Sequence, residues 1–110
     1  MLQDITLLRS ETFDAYVAGA PNCLVLVFRQ GCPNCQVLMA VIDRCRARWP
    51  RLALAGIDAD QSPDLMQEAG VTKVPTVLVY RNGVPSARKA GVMSPSELMA
   101  LVASGSAPVV

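Results

Sequence analysis

The sequence predicts an α/β fold: a single mixed β-sheet with helices on both faces. Three observations carry this. Apolar runs of strand length alternate with stretches of helical period along the chain, and such alternation implies parallel strands joined by crossover helices. Two later strand-like runs flank Asn82-Gly83, a tight-hairpin signature that adds antiparallel strands on one side. The 110 residues, 52% of them hydrophobic, make one domain with a core of two or three layers.

Taken in order, Ile5-Thr6-Leu7-Leu8 forms a short β segment. Ser10 reads as the N-cap of a helix whose apolar face is Phe13, Tyr16 and Val17, ending near Gly19 and Pro21. Cys23 to Phe28 is apolar without alternation, as suits a central strand covered on both faces. A long helix follows from Pro33 to Trp49, with Leu38, Val41, Ile42, Cys45 and Trp49 as its inward stripe and Pro50 as its stop. Leu52 to Asp58 is the next strand. Ser62-Pro63 opens a short helix, with proline where its missing N–H does no harm, and Gly70 closes it. Thr76–Tyr80 and Val84–Ala90 are the hairpin strands, and Ser94-Pro95-Ser96-Glu97 is a capping box for a last helix to about Ala103. Residues 1–104 form the domain and 105–110 a tail.

Composition narrows the function. No stretch approaches the roughly 20 apolar residues that span a bilayer. Met1-Leu2-Gln3-Asp4 shows neither a basic n-region nor an apolar core, so no retained signal peptide is expected. A net charge of +1 gives no electrostatic reason to expect nucleic acid or a membrane surface. Arg44, Arg46, Arg48 and Arg51 form the only basic cluster and read as a solvated helix end. Histidine, the commonest general base and metal ligand, is absent. Four cysteines are too few for a disulfide-stapled miniprotein, and cytosolic redox chemistry fits them better.

The most informative segment is Gly31-Cys32-Pro33-Asn34-Cys35, between the buried strand and the long helix. Two cysteines three positions apart at a helix mouth can close and reopen a disulfide, and the helix's free N–H groups favour the first as thiolate. As N-cap, Cys32 can receive the N–H groups of Asn34 and Cys35. Half a metal site has the same spacing, but neither a histidine nor a second Cys-x-x-Cys exists to complete zinc within the chain. Cys45 lies about 15 Å down the helix from Cys35, and Cys23 at the far end of its strand. Both are expected as small buried apolar side chains, a disulfide between them being the lesser alternative. Asp58 and Asp60 read as a strand-end and a helix-flanking acid. Arg29 and Lys73 are expected to border the motif, as a solvated rim or as cations favouring the thiolate.

Over about Leu2 to Ala103 the chain resembles the thioredoxin family. The matching segments are Leu24–Phe28, Cys32-Pro33-Asn34-Cys35, Ile57-Asp58-Ala59-Asp60, Gly70-Val71-Thr72-Lys73-Val74-Pro75-Thr76, Tyr80-Arg81-Asn82-Gly83, and Gly91 ahead of Ser94-Pro95-Ser96-Glu97-Leu98. The resemblance implies a thioredoxin fold, Cys32 as attacking thiol, Cys35 as resolving thiol, and a substrate groove lined by Val74 and a cis Pro75, with Gly31, Pro33 and Gly91 as further contact positions. It implies disulfide-containing protein substrates, an upstream disulfide reductase, a cytoplasmic monomer and no cofactor beyond the cysteines. Three departures stand out: Gly31 replaces the family's tryptophan, Leu26 its buried aspartate, and Ala55 is read as the position of that aspartate's lysine partner. Two other readings stay open. Proline directly after Cys32 is shared with glutaredoxins, although Lys89-Ala90-Gly91-Val92-Met93 lacks their glutathione-binding glycine pair and acids. Two chains could also bridge an iron–sulfur cluster or zinc through Cys32 and Cys35.

Overall fold

The structure, a computed structural model, describes residues 5–105; Met1 to Asp4 and tail residues 106–110 lie outside the described residues. The elements run β1 (Thr6–Leu7), α1 (Ser10–Ala18), β2 (Asn22–Phe28), α2 (Pro33–Cys45), a 3₁₀ turn (Arg46–Arg48), β3 (Ala53–Asp58), α3 (Pro63–Glu68), β4 (Thr76–Arg81), β5 (Val84–Ala90) and α4 (Pro95–Gly105).

The five strands form one mixed sheet in the order β1-β3-β2-β4-β5. β3 pairs parallel with both β1 and β2, while β4 runs antiparallel to β2 and β5 antiparallel to β4. Central β2 is buried from Cys23 to Phe28, and its side chains divide by parity between two cores. Leu24, Leu26 and Phe28 pack with α2 (Cys35, Leu38, Ile42, Cys45) and α4 (Leu98, Val102). Cys23, Val25 and Val27 pack with Val17 of α1 and Leu65 of α3. Helices therefore cover both faces, as the sequence predicts.

Turn and cap chemistry is mostly as written in the sequence. Asn82 and Gly83 both have positive φ (52° and 81°), the requirement of a type I′ hairpin turn. The Ser94 hydroxyl accepts the Glu97 N–H (3.2 Å) and Glu97 Oε1 accepts the Ser94 N–H (3.1 Å), completing the capping box. Lys89 Nζ donates to the other Glu97 oxygen at 2.9 Å; that bond, with the Ser94 N–H, lowers the Glu97 carboxyl to about 2. A bulge leaves Ser86 unpaired between the Val79–Ala87 and Tyr80–Pro85 pairs, and Pro85 is tolerated because β5 is an edge strand.

Strand ends differ from expectation by a residue, β1 being Thr6–Leu7 and β3 starting at Ala53, and three helix boundaries differ. Arg9, not Ser10, caps α1: the Arg9 N–H donates to Thr12 Oγ1 (3.0 Å), and Ser10 is the first helical residue. The Ser10 hydroxyl instead donates to Asp64 Oδ2 at 2.6 Å, tying α1 to α3. The long helix keeps α geometry only to Cys45 and tightens into the 3₁₀ turn before Trp49, a common way for a helix end to satisfy its last carbonyls. Helix α4 runs on to Gly105, one residue into the expected tail.

Candidate active site

Strand β2 ends at Phe28, and Gly31 turns the chain with φ +72°. A Cβ on Gly31 would meet nothing within 4 Å, so the backbone conformation, not crowding, favours glycine there. Cys32 then caps α2 from an extended conformation, with Pro33 in the first turn. Its sulfur accepts the Cys35 N–H at 3.2 Å; of the two N–H groups the sequence offers, that is the one that reaches it. The two cysteines are joined as a disulfide with their Cα atoms 5.2 Å apart, within the usual range of roughly 4.4–6.8 Å. Their environments differ. Cys32 is partly exposed, whereas Cys35 is 1% exposed and packs among Leu26, Phe28 and Leu38.

The Val74–Pro75 loop comes to the same end of the sheet. Thr76 pairs with Val27, which sets Pro75 level with the top of β2, where the motif begins. The Val74–Pro75 bond is cis, and the Gly91 N–H donates to the Pro75 carbonyl at 2.8 Å. Val74 and Cys32 both lie half-buried against the α2/α4 core. Gly31, Cys32, Pro33, Cys35, Val74, Pro75 and Gly91 are thus gathered at one end of the molecule.

The remaining sequence candidates have local roles. Asp58, 3% exposed, accepts the N–H groups of Asp60 (2.9 Å) and Gln61 (3.4 Å), shaping the turn after β3. Asp60 pairs with Arg29 at 2.9 Å, so that cation is tied to an acid at the rim. The Lys73 carbonyl accepts the Thr76 hydroxyl at 2.7 Å. Arg46, the first residue of the 3₁₀ turn, reaches back to Asp43 of α2 at 3.5 Å. Cys23 and Cys45 are free and buried, on opposite faces of the sheet; that separation removes the alternative of a disulfide between them. Burial pushes the Cys23 thiol up to about 12.

Ala55 requires a correction. It pairs with Val25 and faces the α1/α3 core, away from Leu26. On Leu26's own face β3 contributes Gly56, directly opposite, and Leu54. A shift of one residue along a strand reverses the face, so Gly56, not Ala55, stands opposite Leu26.

Sequence reasoning missed a cavity of about 240 Å³ on the β1 side of the motif, lined by Ile5, Leu7, Phe28, Arg29, Gln30, Gly31, Cys35, Gln36 and Met39. The signal present in the sequence was Gly31 itself, a residue without a side chain where the family carries a large one.

An α/β sheet that presents a disulfide-forming Cys-x-x-Cys at a helix N-terminus, level with a cis-proline loop, defines a redox protein of the dithiol–disulfide class. Comparison with known proteins gives the family. The model of the thioredoxin family matches residues 4–104, and the chain belongs to that family. The thioredoxin of Chlamydia muridarum is 28% identical over 91 residues, covering 81% of this chain and 89% of that protein. The solution structure of reduced desulfothioredoxin from Desulfovibrio vulgaris Hildenborough is 34% identical with a TM-score of 0.80, covering 92% of this chain and 97% of that one. A mutant thioredoxin from Halobacterium salinarum shares the fold at 24% identity and a TM-score of 0.83, covering 100% of this chain and 98% of that one. Family and cysteine pair together make the chain a thiol–disulfide oxidoreductase.

Proposed function

We propose that the protein reduces disulfides of other proteins, with Cys32 as nucleophile and Cys35 as resolving thiol. The observation that carries this is the asymmetry of the pair: Cys32 is partly exposed with its sulfur facing a helix N–H, and Cys35 is buried one turn further on. In the dithiol form the Cys32 thiolate attacks a substrate disulfide, forming a mixed disulfide and expelling one substrate thiolate. Cys35 then gives up its proton and attacks Cys32, and the second substrate sulfur leaves as thiolate. Two electrons pass to the substrate and the chain is left with the Cys32–Cys35 disulfide. Val74 and Gly91, held around Pro75 at the same end of the sheet, are the backbone against which an extended substrate segment lies, with Gly31 and Pro33 on the other border.

The same reading makes the chain a cytoplasmic monomer recharged by a separate disulfide reductase. Among the described residues no helix is long and apolar enough to cross a membrane. A metal held through Cys32 and Cys35 would need ligands from a second chain, since among the described residues no group of three or more His, Cys, Asp or Glu forms a site.

The test is the reduction potential of the Cys32–Cys35 couple, with stoichiometric transfer from the dithiol protein to a disulfide-bonded substrate. A couple near the cytosolic poise of roughly −220 to −320 mV supports a reductase. A couple near that of strong oxidants, about −120 mV, would reverse the direction of electron flow. Turnover that required glutathione would move the protein to the glutaredoxin reading.

A further inference from the structure

Resolution requires Cys35 to lose a proton, and among the described residues the core it packs in is apolar. Cys35 belongs to the core formed by β2 (Leu24, Leu26, Phe28), β3 (Leu54), β4 (Val77, Val79), α2 (Leu38, Ile42), α4 (Leu98, Val102) and Met93, whose side chains carry no base. Among the described residues, the titratable side chains in that apolar core are its partner Cys32 and Cys45, ten positions along the helix. One side of Cys35 is different. It forms part of the wall of the 240 Å³ cavity, where the ionisable neighbours are Arg29, a cation paired with Asp60, and, behind Gln30, Asp58.

We propose that this cavity is the proton exit of Cys35, a port through which water or a small dissolved base reaches the resolving thiol, with Gln30 as the residue that positions the acceptor. This rests on the proposed resolving role of Cys35. Gln30 Nε2 donates to Asp58 Oδ2 at 3.4 Å. A carboxylate only accepts, so this contact turns the amide's NH₂ toward Asp58 and leaves its carbonyl oxygen to hold a water. The volume has room for several molecules of about 30 Å³ each. Position allows it to work during the reaction: the cavity lies toward β1, and the Pro75 loop toward β4, on the opposite side of β2. A substrate disulfide-linked to Cys32 and lying along Val74 therefore meets the port only at its Gly31 rim and leaves the β1-side wall, Ile5 and Leu7, open. The proton passes from the Cys35 thiol to the base, the Cys35 thiolate bonds to Cys32, and the substrate sulfur departs with the electron pair of the broken bond.

The experiment isolates that step. Cys32 is converted to its thionitrobenzoate mixed disulfide in acid, where Cys35 stays protonated. The sample is jumped to neutral pH, and thionitrobenzoate release is followed at constant ionic strength with increasing imidazole or with a bulky buffer of the same pKa. Release by the parent protein should rise in proportion to imidazole and not to the bulky base. Leu7→Trp and Gln36→Trp fill the mouth from two exposed walls. Each should lower the imidazole-dependent rate by about tenfold, a modest share of the roughly 100-fold or more that a placed base supplies. Gln30→Glu, which puts a carboxyl on the cavity wall, should release faster than the parent without imidazole, and its pH profile should shift, which a merely structural change would not produce. Release that needs Cys35 but is flat in imidazole, in the parent and both filled variants, overturns the port. Release from Cys35→Ser as fast as from the parent overturns the resolving role instead, so the two failures are distinct.

Discussion

The chain holds two pairs of cysteines, and placement alone separates them. Cys32 and Cys35 sit on one turn at the start of α2, where an N–H meets the first sulfur and Cys32 is partly exposed. Cys23 and Cys45 are also both on elements of the central layers, yet the sheet stands between them and hydrocarbon surrounds each. Reactivity therefore follows from backbone N–H groups and access, not from the thiol. Strand β2 links the two regions: its amino end carries the inert Cys23, and its carboxyl end leads into the reactive pair within ten residues.

Exchanging single sulfurs at the reactive end should produce the largest effect. Cys32→Ser should abolish turnover and substrate trapping together, whereas Cys35→Ser should abolish turnover and accumulate mixed disulfides on Cys32. Mass spectrometry after incubation with a disulfide substrate reads both, and equal trapping by the two variants would erase the asymmetry on which the mechanism stands. The interior pair supplies the counterpart. A thiol whose pKa is raised from 9.0 to about 12 has a thiolate fraction about a thousandfold lower at neutral pH. In the native reduced protein, iodoacetamide should label Cys32 at least that much faster than Cys23, the ratio collapsing in denaturant. Comparable native rates would mean that the lower core opens.

Much of this contrast was legible in the sequence because it depends on local rules. The helix mouth at Cys32, the Asn82-Gly83 turn and the Ser94–Glu97 box are each written in a few adjacent residues. What could not be read depends on which face or neighbour a residue meets. The α1 cap moved to Arg9 because Thr12 takes its N–H and Asp64, far along the chain, takes the Ser10 hydroxyl. Ala55 was assigned to the wrong face because nothing in Leu54-Ala55-Gly56 reveals its register against β2. The cavity depends on β1 and α2 standing on either side of an empty glycine, a juxtaposition with no sequence signature beyond Gly31.

A smaller effect tests the apolar setting of Cys35 itself. Leu26→Asp places a carboxyl in the Cys35 core, 0% exposed at present, with Leu54 and Gly56 rather than a cation beside it. The loss of stability should be about 3–5 kcal/mol by urea unfolding at neutral pH. Burial raises the folded-state pKa of that acid above its unfolded value near 4. The deficit should therefore be smallest in acid and grow as pH rises from about 4 through the raised pKa. Release of Cys32-bound substrate should quicken around neutral pH and lose its dependence on small bases, since the acid now takes the proton. A folded variant whose release remains unchanged across the pH range would show that proton removal does not limit the parent.

The smallest expected effect is a null at the far end, and it bears most directly on whether the two regions communicate. Trp49, the only tryptophan, follows the 3₁₀ turn and lies half-buried against the same core as Cys45. Thirteen α-helical residues and three 3₁₀ residues separate it from Cys32, roughly 25 Å along the axis. Quenching by a disulfide needs contact or near contact, and α2 enters and leaves its course at fixed caps. Opening the Cys32–Cys35 bond should thus leave Trp49 emission within about a tenth of its oxidised intensity, since α2 is held along its length by Leu38, Ile42 and Cys45 in a close-packed core. Gly31→Trp supplies the positive control, an indole beside the sulfurs whose emission should rise on reduction while that of Trp49 stays level. A several-fold rise from Trp49 in the parent protein would mean that α2 shifts as a rigid rod when the disulfide opens, and the inert and reactive ends would then form one coupled unit.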